Sequence, residues 1–405
     1  MAFASAIFVA AAVFYTAWDL LGARGLEPER LIDAKTLFDL VKLSFGVVAG
    51  AGALVALIVA YRRQRVDEDG ALREATRLHT ERFTTAVSQL GEESAAVRLG
   101  GVHALAGLAD DAPTRPLRQT CIDVLCAYLR LPYIAEADLT AGDTQARHAY
   151  LALREVRHTV IRLIRDHLRL DPTHPQSWQG HDFDFTGVTF DGGDFSGSVF
   201  SGGTVSFSEA TFSGGTVRFS GLTFSGGRVD FGRSTFSGGT VRFSGLTFSG
   251  GRVGFGRSTF SGATVRFSGS TFSGGTLDFG RSTFSGGTVS LNTSTFSGGM
   301  VGFAGSAFCG GTVRFFGSTF CGGRVDFRRS TFSSGTVRFA GSTFSGGTLD
   351  FGRSTFSGGT VRFVRPAFTG GTVDFRLATG EAPSGLVPAS GSTSAGLFLP
   401  SAWLS

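Results

Sequence analysis

Apolar residues recur along this chain in two rhythms, and the change between them near residue 183 divides it. Before that point they come in long runs or at helical spacing. The stretch 2–21 is almost entirely apolar, and 43–61 carries no charge; each is about the twenty residues that a membrane-spanning helix needs, the rival reading of the first being a cleavable signal peptide, whose basic start it lacks. Arg62, Arg63 and Arg65 follow the second run directly, so the excess of positive charge predicts a two-span hairpin with the remainder of the chain in the cytoplasm and the loop 22–42 outside. From 66 to 170 the apolar positions fall three and four apart, as in Phe83, Val87 and Leu90 or Ile122, Leu125 and Leu129, which predicts a small helical domain. Asp171-Pro172 and His174-Pro175 open a linker over 171–182.

Over 183–376 the rhythm is short. Phenylalanine returns every twelfth residue, at Phe200, Phe212, Phe224, Phe236, Phe248, Phe260, Phe272 and Phe284, and continues at that spacing to Phe368. A period this short cannot hold a helical hairpin, so the unit is strand and turn, stacked as a β-solenoid. Within each unit Val217 and Phe219, or Val241 and Phe243, are two apart and point to one side, while Arg218 or Arg242 between them points to the other. Gly-Gly after the column serine supplies a corner. Stacked rungs place Phe on Phe, and those columns carry the stability of a glycine-rich chain.

The apolar pattern leaves open whether one turn takes twelve residues or twenty-four. The outward column prefers twelve. Arg218, Arg242 and Arg266 alternate with Asp230 and Asp278, and later Arg314, Arg338 and Arg362 alternate with Asp326, Asp350 and Asp374. A twelve-residue turn sets Arg beside Asp, a favourable cross-strand pairing, whereas twenty-four stacks Arg on Arg. Cys309 and Cys321, one period apart, discriminate: only the short turn brings them within reach of each other.

Just ahead of this region Phe185, Phe190, Phe195 and Phe200 recur every fifth residue. That step resembles the pentapeptide-repeat family, and the resemblance implies a right-handed four-sided β-helix; the later two-residue insertions make this chain a twelve-residue variant. Arg82-Phe83 to Gly91, followed by Val97 to Leu105, is similar to the helical region joining a membrane anchor to the repeats in bacterial pentapeptide-repeat proteins of unassigned function. The fold expected is therefore mixed: a transmembrane hairpin, an α-helical neck and a C-terminal β-solenoid. The tail, 377–405, is rich in Ala, Ser, Gly and Pro with Glu381 its one acidic residue, a composition expected of disorder.

Composition narrows the chemistry. Four cysteines without close pairing fit neither a disulfide framework nor zinc. The seven histidines all precede the solenoid without ligand spacing, and His103, in an apolar helix, reads as an interior residue. No lysine follows the Gly-Gly pairs as in a phosphate-binding loop, and no base stands near the many hydroxyls. No catalytic, cofactor-binding or metal-binding residue is predicted. Acidic pentapeptide-repeat rods imitate DNA, but here 201–376 holds seventeen Arg against six acidic residues. The expectation is a non-enzymatic, multi-pass protein of the cell membrane whose cytoplasmic solenoid is a scaffold for a protein partner, with self-association open. The alternative is a basic rod that binds nucleic acid or an anionic membrane surface.

Overall fold

The computed structural model describes residues 15, 16, 19, 33–224, 228–383 and 396–404. Apart from Tyr15, Thr16 and Asp19, the expected first span lies outside the described residues. The second apolar run belongs to one continuous helix, α1 (Ala34–Leu90). The apolar run and the start of the expected helical region thus share one helix, with no break at Tyr61. Nothing in 62–90 breaks a helix: the segment has no proline, a single glycine and many Arg, Glu, Ala and Leu. The part from Val41 onward is the one helix, among the described residues, long and apolar enough to cross a membrane. Its Phe45, Leu57 and Tyr61 are exposed.

Three further helices build the neck: α2 (Ala95–Asp110), α3 (Arg115–Arg130) and α4 (Thr144–Arg169). Pro116 stands in the first turn of α3, where its missing N–H costs nothing. Asp143 caps α4, its carboxylate accepting the Ala146 N–H at 2.9 Å. Val102, Leu105, Ile122, Leu125, Val156, Val160 and Ile164 form the buried core. His103 is exposed, contrary to the expectation, because it lies one position round from the inward stripe of Val102, Leu105 and Ala106. The buried histidines among the described residues are His79, whose ring bonds the Leu108 carbonyl at 3.1 Å, and His181, whose ring bonds the Gln119 side-chain oxygen at 3.0 Å.

Every solenoid strand pairs in parallel with the strand one full turn away. In the first coil that turn takes 22 residues, as in Thr189 against Thr211. Afterwards it takes 24, as in Thr235 against Thr259. The twelve-residue turn is therefore wrong, and each twelve-residue unit is half a coil. Among the described residues four sheets of ten, nine, eight and eight strands result. The two extra residues per half-coil lengthen alternate sides, giving three-residue strands such as Thr216–Arg218 beside two-residue strands such as Thr211–Phe212, and the coil stays four-sided. Cys309 and Cys321 consequently follow strands of different sheets, half a turn apart, and both are free.

Two kinds of aromatic column fill the interior. Phe212, Phe236 and Phe260 stack at 4.7 Å along one short side. Phe200, Phe248 and Phe272 are buried along the opposite one. Phe219, Phe243 and Phe267 stack along a long side at 4.7 to 4.8 Å and meet the column through Phe231 and Phe255 edge-on. Phe284, Val217 and Val241 are buried as well. The 4.7 to 4.8 Å ring spacing is the ordinary distance between hydrogen-bonded strands, so backbone pairing and ring stacking share one pitch.

A second buried column is polar. Ser234, Ser258, Ser282, Ser306, Ser330 and Ser354 lie inside one corner. The Ser282 hydroxyl donates to the Phe255 carbonyl at 2.7 Å and accepts the Ser258 N–H at 3.1 Å, joining successive coils where no strand does. Ser282→Ala removes both bonds to the next coil and leaves the Ser258 N–H only its 3.2 Å bond to the Phe255 carbonyl within its own coil, so chemical denaturation should show a loss of about 0.5–1.5 kcal/mol. The exposed Ser285, changed to Ala, should stay within about 0.5 kcal/mol. Equal effects at the two sites would remove this role.

Both ends of the stack are covered. At the base, α3 and α4 pack on the first coil. At the far end Leu397–Phe398 adds a strand beside Val373 and Asp374, and the Trp403 ring lies 5.5 Å from Phe375. Residues 396–404 thus depart from the disorder expected of the tail, because the last coil presents open strand edges and rings that a few apolar residues can cover.

Candidate interaction surface

The outward positions of the two long sides differ in chemistry. Strands such as Arg228–Asp230, Thr276–Asp278 and Arg324–Asp326 form one side, with Asp230, Asp278, Asp326, Asp350 and Asp374 in its column. Half a coil away, strands such as Thr216–Arg218, Thr240–Arg242 and Thr264–Arg266 form the other. Its column runs Arg218, Arg242, Arg266, Ser290, Arg314, Arg338 and Arg362, each in register with the next. The sequence expectation that Arg would lie against Asp is reversed: like stacks on like.

On the Asp side the carboxylates are taken. In Arg-Val-Asp strands the arginine and aspartate both point outward, so they meet within a coil or between adjacent coils. Arg228 pairs with Asp230 at 3.2 Å, Arg252 with Asp278 at 2.7 Å and Arg324 with Asp350 at 2.8 Å. Arg328 reaches Asp326 at 2.6 Å, Arg376 reaches Asp374 at 2.6 Å, and Arg233 reaches Glu209 at 3.1 Å. Burial alone would raise the Asp326 carboxyl, yet the Arg328 side chain and backbone N–H, with Arg324, hold it below the usual carboxylate range. All six acidic residues of 201–376 are accounted for here.

The Arg side has no such compensation. Among the described residues none of Arg218, Arg242, Arg266, Arg314, Arg338 and Arg362 has an acidic partner within 4.0 Å. Beside them Thr216, Thr240, Thr264, Thr312, Thr336 and Thr360 make a parallel hydroxyl column, since in each strand the valine between Thr and Arg points inward. The flanking corners carry mostly Gly, Ser and Ala, which leave the columns uncrowded. An exception is Phe316, exposed at a corner beside Arg314.

At the base the column meets the neck. A shallow cavity of about 390 Å³ is lined by Arg154, His158, Arg162 and Arg165 of α4 together with Thr216 and Arg218. Arg165 holds Asp194 at 2.9 Å, so the carboxylate one rung below Arg218 is already engaged. The joint itself is built of buried contacts. Tyr133 and Tyr150 both donate to one oxygen of buried Asp191, at 2.7 and 2.6 Å, and buried Arg157 bonds the carbonyls of Leu129 and Thr189 at 2.7 and 2.8 Å. Trp178 stacks on His167 at 4.1 Å, and both bond Asp110. Burial pushes the Cys121 thiol up to about 11 and that of Cys126 up to about 12, which suits packing residues. No cluster of three His, Cys, Asp or Glu suited to a metal ion occurs among the described residues.

The five-residue step of the first coils decides the family signal. Pentapeptide repeats match residues 185–235, in nine copies. The chain carries pentapeptide repeats. No curated protein and no solved structure matches it significantly. The matched stretch covers the base of the pentapeptide-repeat solenoid, where Phe185, Phe190 and Phe195 still recur every fifth residue; later coils keep the four sides with the longer 24-residue turn. The paired Arg228, Arg252 and Arg324 and the continuation of the basic column onto α4 were not singled out from the sequence. The Arg-Val-Asp spacing was the signal for the first; the second had none, because it depends on how α4 docks.

Proposed function

We infer that this protein is a non-enzymatic, membrane-anchored scaffold whose rigid solenoid is presented to a protein partner in the cytoplasm. The observation carrying this reading is the filled interior: stacked rings occupy the rod from base to cap, so its chemistry lies on repeated outward columns. The exposed apolar stretch of α1 supports an anchor, and Arg62, Arg63 and Arg65 after it support a cytoplasmic rod, with 2–21 as a second span. The neck suits the task because its buried ionic and aromatic contacts fix α4 to the first coil.

The test is proximity labelling in intact cells with the labelling enzyme fused after Ser405 of the full chain. The chain should stay with membranes through alkaline extraction, and one cytoplasmic protein should be labelled recurrently above a free-enzyme control. Release by alkali would remove the anchor. Labelling indistinguishable from the control would remove the scaffold.

A further inference from the structure

We propose that the arginine side of the solenoid is a binding track for single-stranded nucleic acid, with phosphates held by the Arg218 to Arg362 column and neighbouring threonine hydroxyls. This does not depend on a membrane anchor or a protein partner. Stacking six unpaired guanidinium groups in one file is unfavourable in the free protein, because like charges in register repel. The same chain neutralises every carboxylate of the opposite side with arginines at hand. Among the described residues Arg257, Arg281 and Arg353 also lack an acidic partner within 4.0 Å, at a corner beside the Asp side. The Arg218 to Arg362 file is set apart by its register in a strand and by the threonine column beside it, and a polyanion from outside the chain can balance it. A second copy cannot supply it from the Asp side, whose carboxylates are engaged.

The shape of the column selects the polyanion. From Arg218 to Arg362 the file keeps register through six coils, roughly 29 Å at about 4.8 Å per coil. A duplex strand winds through most of a turn in that length, since one turn is about 34–36 Å, so a file that climbs one rung per coil on a single side of the rod touches it only briefly. A flexible single strand can follow the column. Each phosphate then accepts paired N–H bonds from a guanidinium and one from a threonine hydroxyl on the same rung. A membrane is a two-dimensional array, whereas this file is one residue wide and its immediate neighbours are threonines without apolar bulk to insert. Phe316, exposed beside Arg314, offers a ring on which a base can stack. At the base Arg162 and Arg154 extend the positive strip onto α4.

The test uses the full chain in nanodiscs of zwitterionic lipid and a fluorescein-labelled oligothymidylate of about sixteen nucleotides, read by anisotropy over a salt series. Arg242→Gln, Arg266→Gln and Arg314→Gln together should weaken binding at least about tenfold and lower the log–log salt slope by roughly 2, at about 0.7 per lost phosphate contact. Arg257→Gln, Arg281→Gln and Arg353→Gln remove equal charge from the corner beside the Asp side and should change affinity by less than about twofold. Circular dichroism verifies that both triples keep the fold. Equal losses from the two triples would reduce the effect to overall charge and overturn the track. Tighter binding of a duplex of the same length, competition by phosphatidylglycerol vesicles with no oligonucleotide bound, or no binding at all would also overturn it.

Discussion

Phe243→Ala should be among the most damaging single changes in the solenoid, costing about 3–5 kcal/mol. The ring is fully buried, stacked on Phe219 at 4.8 Å and Phe267 at 4.7 Å, with Phe231 and Phe255 edge-on at 5.4 and 5.7 Å. Removing it opens a cavity between three coils, and the coils cannot close on it because their pitch is set by backbone pairing along four sheets. In a stack where each coil touches only its neighbours, the loss is felt locally. Hydrogen exchange should therefore accelerate in the coils holding Phe219, Phe243 and Phe267, while the base and the far cap keep their protection. The half-exposed Ser244, changed to Ala, should leave exchange unaltered. Uniform acceleration along the rod, or none, would mean that the aromatic column does not hold the coils together in this way.

Gly239→Ala should be comparably severe for a different reason. Gly239 has φ +68°, and an added Cβ would meet the Gly215 carbonyl of the preceding coil far inside van der Waals contact. That atom is backbone and cannot swing away. Gly245 has nearly the same dihedral, φ +69°, but open space around it. Both substitutions carry the cost of a left-handed alanine, about 1–2 kcal/mol. Gly239→Ala should lose a further 1–3 kcal/mol or so through the clash, visible as a lower urea midpoint than Gly245→Ala. Matching midpoints would show that the coils slide apart freely at this corner, against the tight stacking described above.

Much of the architecture could be read from particular residues. Val217 and Phe219 with Arg218 between them define a strand face without any coordinates, and the regular return of Gly-Gly marks its corners. The coil length could not be read this way. Val217, Val229 and Val241 are equivalent in the apolar pattern, so either a half or a full period would bury them, and the Arg and Asp alternation pointed toward the wrong choice. It did so because cross-strand attraction was weighed alone, whereas Asp230 and Asp278 find Arg228 and Arg252 on their own side. The serine column was hidden for another reason: Ser234 is a small polar residue before Thr-Phe, and only its burial reveals that its hydroxyl links coils.

The order of residues alone settled that this chain is a stack of short strands bent at glycines over an aromatic interior, because side-chain direction in a strand alternates with every residue and needs no partner to be known. Which column lies above which was decided by the closed coil. Four sides must meet in hydrogen-bonded register through each turn, and that closure, a property of the whole loop of 24 residues, put arginine over arginine on one side and gathered aspartate with its counter-ions on the other.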